Sequence, residues 1–227
     1  MSTQLLFALI GSLVSTAPPF QARFEQVTID GGQTDTVRGY IYFAAPWRIY
    51  YQVDYPLKQN LSVVMNTTTI YYPDKSLAYV IKAKSEVESP LSQQSLGAVD
   101  PSQAMAKMGL APGKTRVSGD TTYSTWNSKN KRLPFSHVVF GHVGRATVYV
   151  EVLRRNGGPL MRIRFSNHIK VDTVALPTAV VTERFDTEGE RTLETLTYQD
   201  VDTSTAFLRT LGRFTLPTGT RIKTSNW

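Results

Sequence analysis

His137, His142 and His168 are the only imidazoles in this 227-residue chain, and it contains no cysteine. A metal site needs several such ligands at close spacing, and neither an HExxH pattern nor a histidine pair at ligand spacing occurs. The lack of thiols also removes disulfides, thiol catalysis and lipid attachment through an N-terminal cysteine. There is no G-x-S-x-G elbow, phosphate-cradling loop or dinucleotide fingerprint, and Gly31-Gly32 and Gly157-Gly158 read as hairpin glycines. Asp200 and Asp202 share a strand face by their spacing, which is how two carboxylates could meet for acid–base work. Solvated turn carboxylates explain that pair more simply. The sequence therefore predicts no catalytic residue, no metal and no cofactor.

The formal charge is +7. A basic excess suits nucleic acid, an anionic membrane surface or an acidic partner. Here the positive residues are scattered; the densest groups are Lys129, Lys131 and Arg132, then Arg154 and Arg155. A solvated loop and a hairpin end account for both, no nucleic-acid-binding signature accompanies them, and nucleic acid is not expected as a partner.

With chemistry unsupported, the informative part of the chain is the apolar patterning that would have to position anything else. Residues 39–74 read GYIYFAAPWRIYYQVDYPLKQNLSVVMNTTTIYYPD. Pro46, Pro56 and Pro73 cannot donate to a sheet ladder and belong at strand ends. Ile49, Tyr51 and Val53 fall on one face, whereas Arg48, Tyr50 and Gln52 fall on the other, so one face is greasy and one wet. Such a surface either packs a core or holds something apolar. Strands are expected near 35–44, 47–54, 58–65, 68–72 and 76–83, after a hairpin turn at Asp30-Gly31-Gly32.

The strand pattern breaks at Lys84. Ser89-Pro90 to Gly97 and Asp100-Pro101 to Gly109 each read as a short helix: a capping side chain, proline in the first turn, glycine at the stop. Met105 and Met108 fall on one side of the second, and packing against the sheet explains that stripe more readily than a ligand does. Strand signals resume from Thr115. Val148, Val150 and Val152 alternate, Asn156-Gly157-Gly158 turns the chain, and Met161, Ile163 and Phe165 alternate with Arg162 and Arg164. Further strands are expected near 180–185 and 192–198, with Phe214–Pro217 and Gly219 closing the chain. The sum is a mainly β (α+β) domain over residues 18–227, of about eleven antiparallel strands with a helical insertion near 85–112.

Leu5–Val14 suits the apolar region of a signal peptide, and Ser15-x-Ala17 approximates a cleavage site, which predicts export and a mature start near Pro18. The run is too short for a permanent membrane span. Without a basic segment before it, a retained first helix packed on the sheet is the alternative reading.

Together these residues resemble the LolA-type outer-membrane lipoprotein carriers. Phe20-Gln21-Ala22-Arg23-Phe24-Glu25-Gln26 is similar to the family's N-terminal F-x-A-x-F-x-Q. Gly39 to Pro46, then Pro46-x-x-Ile49-x-Tyr51-x-Val53 to Pro56, match its two-proline spacing and inward aromatic strand. Ile70-Tyr71-Tyr72-Pro73, Leu176-Pro177, Tyr198-Gln199-Asp200-Val201 and Phe214 to Gly219 echo later strands. The resemblance implies an unclosed, curved antiparallel β-barrel with a short-helix lid, and no enzymatic activity. It implies a monomeric periplasmic carrier that takes acyl chains of lipoproteins or lipids from an inner-membrane donor complex to an outer-membrane acceptor. The same half-barrel could instead bind a protein or peptide. The acyl-binding wall it implies is Ile41, Phe43, Ile49, Tyr51, Val53, Leu61, Val63, Met161 and Ile163, with Leu91, Leu96, Met105 and Met108 in the lid. At the position where the carriers usually hold a lid-latching arginine, this chain has Ala45.

Overall fold

The computed structural model describes residues 19–45, 48–82, 105–106, 109–131, 133–171, 174–208 and 214–226. The first 18 residues, most of the expected helical insertion (Leu91, Leu96 and Met108 included), Pro46, Trp47 and Arg132 lie outside them. Fourteen strands are described: β1 (Phe20–Asp30), β2 (Gln33–Ala45), β3 (Arg48–Tyr55), β4 (Gln59–Val64), β5 (Thr67–Tyr72), β6 (Leu77–Lys82), β7 (Leu110–Ser118), β8 (Thr121–Ser128), β9 (Phe135–Val143), β10 (Ala146–Arg154), β11 (Pro159–Val171), β12 (Val174–Phe185), β13 (Arg191–Asp202) and β14 (Arg221–Asn226). They hydrogen-bond in the order β14-β6-β5-β4-β3-β2-β1-β13-β12-β11-β10-β9-β8-β7, a ladder with two free ends. It is the mainly β, unclosed architecture expected from the sequence.

Most connections are hairpins closed by the predicted turn residues. Gly31 (φ +54°) and Gly32 (φ +82°) join β1 to β2, and Gly157 (φ +84°) joins β10 to β11, in the left-handed region that glycine enters without strain. Gly109 (φ +75°) ends a helical stretch at Met105–Ala106, its N–H donating to the Ala106 carbonyl at 2.9 Å. That is the stop expected of it, and β7 starts at the next residue.

Contacts divide the chain into two compact units. Unit 1 comprises Met1–Glu25, Thr36–Gln94 and Tyr198–Trp227, and unit 2 comprises Gln26–Asp35 and Ser95–Thr197. In unit 1, strands β2 to β6 form an antiparallel meander in the predicted order. Two findings differ from expectation. The last strand is not at Phe214–Pro217, which is irregular; it is β14, pairing parallel with β6 from Arg221↔Leu77 to Asn226↔Lys82. RIKTSN shows no alternation because it brings backbone hydrogen bonds to a sheet edge and buries almost nothing. Nor is the Arg48-Tyr50-Gln52 face wet throughout. Tyr50 packs on Phe214 (5.1 Å between ring centroids), and Tyr42 packs on both Tyr50 (5.7 Å) and Phe207 (6.3 Å). The C-terminal segment covers that face, with Phe207 itself buried.

In unit 2, the outward face of β10 to β13 carries an ionic lattice. Arg162 pairs with Glu151 (2.7 Å), and Glu183 accepts from Arg164 (3.1 Å) and Arg191 (2.9 Å). The basic hairpin end is more structural than the sequence suggests. Arg154 donates to the carbonyls of Pro159, Phe185 and Asp186, tying the β10–β11 and β12–β13 turns together. Among the described residues no helix is long and apolar enough to cross a membrane.

Candidate functional site

Strand pairing decides which predicted wall residues share a face. In unit 1, Tyr51 stands opposite Ile41 on β2 and Leu61 on β4; in the next row Ile49 stands opposite Phe43 and Val63; Val53 faces Gly39 and Gln59. Side chains opposite one another in a ladder point to the same side, so the seven predicted residues lie on one face. Six of them are buried, with Tyr51 2% exposed, and Val63 is half-buried near the end of its strand. Phe20, Ala22 and Phe24 of β1 and Tyr198 of β13 complete the layer: Phe20 stacks on Phe43 (5.5 Å) and meets Tyr198 edge-on (6.2 Å), and Phe24 meets Tyr51 edge-on (5.7 Å). Burial raises the Tyr51 hydroxyl well above its ordinary pKa, so it stays neutral at any physiological pH. At β5 and β6 burial shifts to the opposite face, through Tyr71 and Ala78.

Unit 2 has its own apolar face. Phe140, Val150 and Ile163 form one row across β9 to β11; Val138, Val152 and Met161 form the next; Phe165, Val180 and Leu196 form a third across β11 to β13. All nine are buried, as is Met105. Met161 and Ile163 are therefore on the face that alternation predicts, and Phe140, Val150, Val152 and Phe165, which the expected wall omits, are buried on that same face. Val148 does not share the pattern of Val150 and Val152: the β9–β10 register shifts between Thr147 and Tyr149, and a bulge there leaves Val148 half-buried.

The same face turns polar where β12 and β13 meet. Ile163 is followed in its row by Thr182 and then Glu194, and Met161 is followed by Arg184. Thr182 and Glu194 are each 4% exposed. Arg184 Nη2 lies 3.3 Å from Glu194 Oε2. Burial raises the Glu194 pKa and the Arg184 charge lowers it, and burial is the larger of the two. Next in the ladder, β1 brings Gln26, 1% exposed. Thr192 donates to Asp30 Oδ1 (3.1 Å), so even-numbered side chains of β1 and β13 share this face. Sequence reasoning missed the cluster, because one charged residue in a strand gives no sign of which neighbours will bury it.

Asp200 and Asp202 do not form a catalytic pair. Asp202 accepts from Gln21 (2.8 Å) and from the Ser204 N–H (2.8 Å) and hydroxyl (2.9 Å), bonds that lower its pKa and close the strand end. Asp200 is exposed, has φ +52° and lies 3.9 Å from Arg23. Among the described residues no cluster of three or more histidines and carboxylates could hold a metal. His142 is half-buried beside Thr147, and burial lowers its pKa.

No protein-family description and no curated protein matches the sequence. Solved structures do match. A LolA superfamily protein from Nitrosomonas europaea aligns over 87% of this chain and 92% of its own, with a TM-score of 0.56 and 12% identity. A domain described as an outer membrane lipoprotein-sorting protein from Vibrio parahaemolyticus aligns over 86% and 92%, with a TM-score of 0.59 and 12% identity. The chain has the LolA fold. A DUF1329 family protein from Desulfovibrio piger matches comparably, at a TM-score of 0.56, 17% identity and coverage of 86% and 90%. At these identities the likeness speaks for the fold, and the LolA fold agrees with the two-proline and aromatic-strand pattern read from the sequence.

Proposed function

We propose that this protein is a non-enzymatic periplasmic carrier that binds acyl chains of lipoproteins or lipids and passes them from an inner-membrane donor to an outer-membrane acceptor. The observation that carries the reading is the single-sided aromatic and aliphatic face of β2 to β4, built on a LolA fold. Each methylene withdrawn from water gives about 0.8 kcal/mol, so partial burial of one chain outweighs most polar contacts. Because these side chains are buried already, an acyl chain reaches them only by replacing what covers them. Binding and opening are then one event, and release follows when an acceptor's apolar surface competes for the chain.

The test is titration with a fluorescent fatty-acid or lipopeptide probe against wild type, Tyr51→Phe and Tyr51→Asp. A charge on this face must be desolvated whenever a chain covers it, at a cost of a few kcal/mol. Saturable binding by wild type and Tyr51→Phe, with loss of about tenfold or more in a folded Tyr51→Asp, supports the carrier. Unchanged affinity in Tyr51→Asp would place the wall elsewhere, and no binding by wild type would favour a protein- or peptide-binding module.

A further inference from the structure

The two free ends of the ladder are finished differently. β7, in unit 2, is guarded: Pro112 has no N–H to offer, the pairing with β8 shifts between Pro112 and Thr115, and Lys114 and Arg116 interrupt the strand. Proline, a bulge and lysine are devices that stop a sheet edge from recruiting another chain. β14, in unit 1, has neither proline nor bulge, and its six residues run in unbroken parallel register along β6. The Arg221 N–H donates to the Ser76 carbonyl at 2.9 Å. Backbone groups alternate in direction along a strand, so Lys223 also bonds toward β6, while Ile222 and Thr224 turn N–H and C=O away from the sheet. Residues 221–225 are all exposed, Ile222 at 57%. β14 thus presents a regular row of strand-pairing groups, and no described strand pairs with that side.

Charge decides what such an edge accepts. β6 and β14 contain Lys82, Arg221 and Lys223 and no acidic residue. Arg221 and Lys223 stand on the face of Leu77 and Tyr79, and Lys223 Nζ lies over the Tyr79 ring, 5.7 Å from its centroid. Neither cation has an acidic partner among the described residues. A second copy of β14 laid on this edge would bring cations against cations, and like charges across a strand pair are destabilising. A strand with acidic residues on the Arg221–Lys223 face and an apolar residue beside Ile222 meets both requirements. We propose that the open edge of β14 takes an extended acidic segment of a partner protein as a further strand. The main chain supplies the attachment, and carboxylates at alternate positions supply the selection. This docking edge does not rest on the carrier reading.

The experiment is a titration of two fluorescein-labelled decapeptides with the full chain, read by anisotropy: one alternates glutamate with valine, the other lysine with valine. It is repeated with Arg221→Glu/Lys223→Glu and with Thr224→Pro. The Thr224 N–H points outward, so proline there removes an edge donor while the pairing with β6 stays; a melting curve checks each fold. We expect wild type to bind the glutamate peptide roughly tenfold more tightly than the lysine peptide, charge reversal to invert that preference, and Thr224→Pro to weaken binding about tenfold. In NMR the glutamate peptide should slow amide exchange at Ile222 and Thr224 and leave Lys223, already bonded, unchanged. Equal binding of the two peptides overturns the proposal, as does glutamate binding that survives Thr224→Pro without slowed exchange, since the contact is then one of charge alone. A wild type that binds neither peptide at millimolar concentration also overturns it; binding to phosphatidylglycerol vesicles, lost on charge reversal, would then make this edge a membrane contact. Should the charge-reversed variant not fold, Thr224→Pro and the exchange rates decide the matter.

Discussion

At the scale of single residues, two side chains show how position overrides type. Arg154 looks from the sequence like one more solvated charge, yet it holds three carbonyls from two neighbouring turns. Charged hydrogen bonds of this kind are worth about 1.5–3 kcal/mol, so Arg154→Ala should destabilise the protein by about 2 kcal/mol in urea unfolding. Arg154→Lys should not restore it, because one ammonium cannot present the planar fork that reaches both turns. Glu194 makes the stability pH-dependent. Its folded pKa is raised above its unfolded value, so the native state holds the proton more tightly. That contribution is full below the unfolded pKa and is lost as pH rises through the folded one. Glu194→Gln removes the titration; its stability relative to wild type should therefore increase from acid to neutral pH in matched melting curves. A constant difference would mean that Glu194 titrates normally.

At the scale of elements, two features of the unit 1 sheet can be tested by changes that leave the apolar face intact. Gly39 lies where the β2–β3 register shifts, and a Cβ built there would be 2.0 Å from the Gln52 carbonyl oxygen. Backbone cannot move aside as a side-chain tip can, so Gly39→Ala should cost about 3 kcal/mol or more and lower the melting temperature markedly. A Gly39→Ala variant as stable as wild type would show that the bulge relaxes. β14 contributes little buried area and six residues of parallel pairing to the edge of β6. Truncation after Thr220 would bare that edge, whose unpaired amides are a template for another chain. The expected result is self-association in analytical ultracentrifugation, against a monodisperse full-length chain, with secondary structure otherwise retained.

At the scale of the whole molecule, a carrier must gain stability from its cargo. A ligand that binds only the folded state at a hundredfold excess over its Kd stabilises by about 2.7 kcal/mol. For a chain of this size that corresponds to roughly 5–10 °C in melting temperature. Lipopeptide should produce such a shift in scanning fluorimetry, and in Tyr51→Asp the shift should shrink with the affinity. Stabilisation of both proteins to the same extent would place the ligand away from the β2–β4 face.

What the sequence determined by itself is what local rules govern. Alternation at Ile49, Tyr51 and Val53, prolines at strand ends and glycines in the turns set the meander, its boundaries and its buried face, since strand parity and left-handed turns are properties of a few consecutive residues. Tertiary structure decided what depends on distant partners. The pairing of β14 with β6 joins segments about 140 residues apart and leaves no pattern in RIKTSN. Tyr42 and Tyr50 are covered because Phe207 and Phe214 return to them, although their own strands mark that face as wet. The bulge before Tyr149 separates Val148 from the valines it appears to join. Gln26, Arg184 and Glu194 meet one face only because β1, β13 and β12 are neighbours in the ladder. A side chain's face is written in its own strand, but whether that face is buried, and beside what, is set by strands far away in the chain.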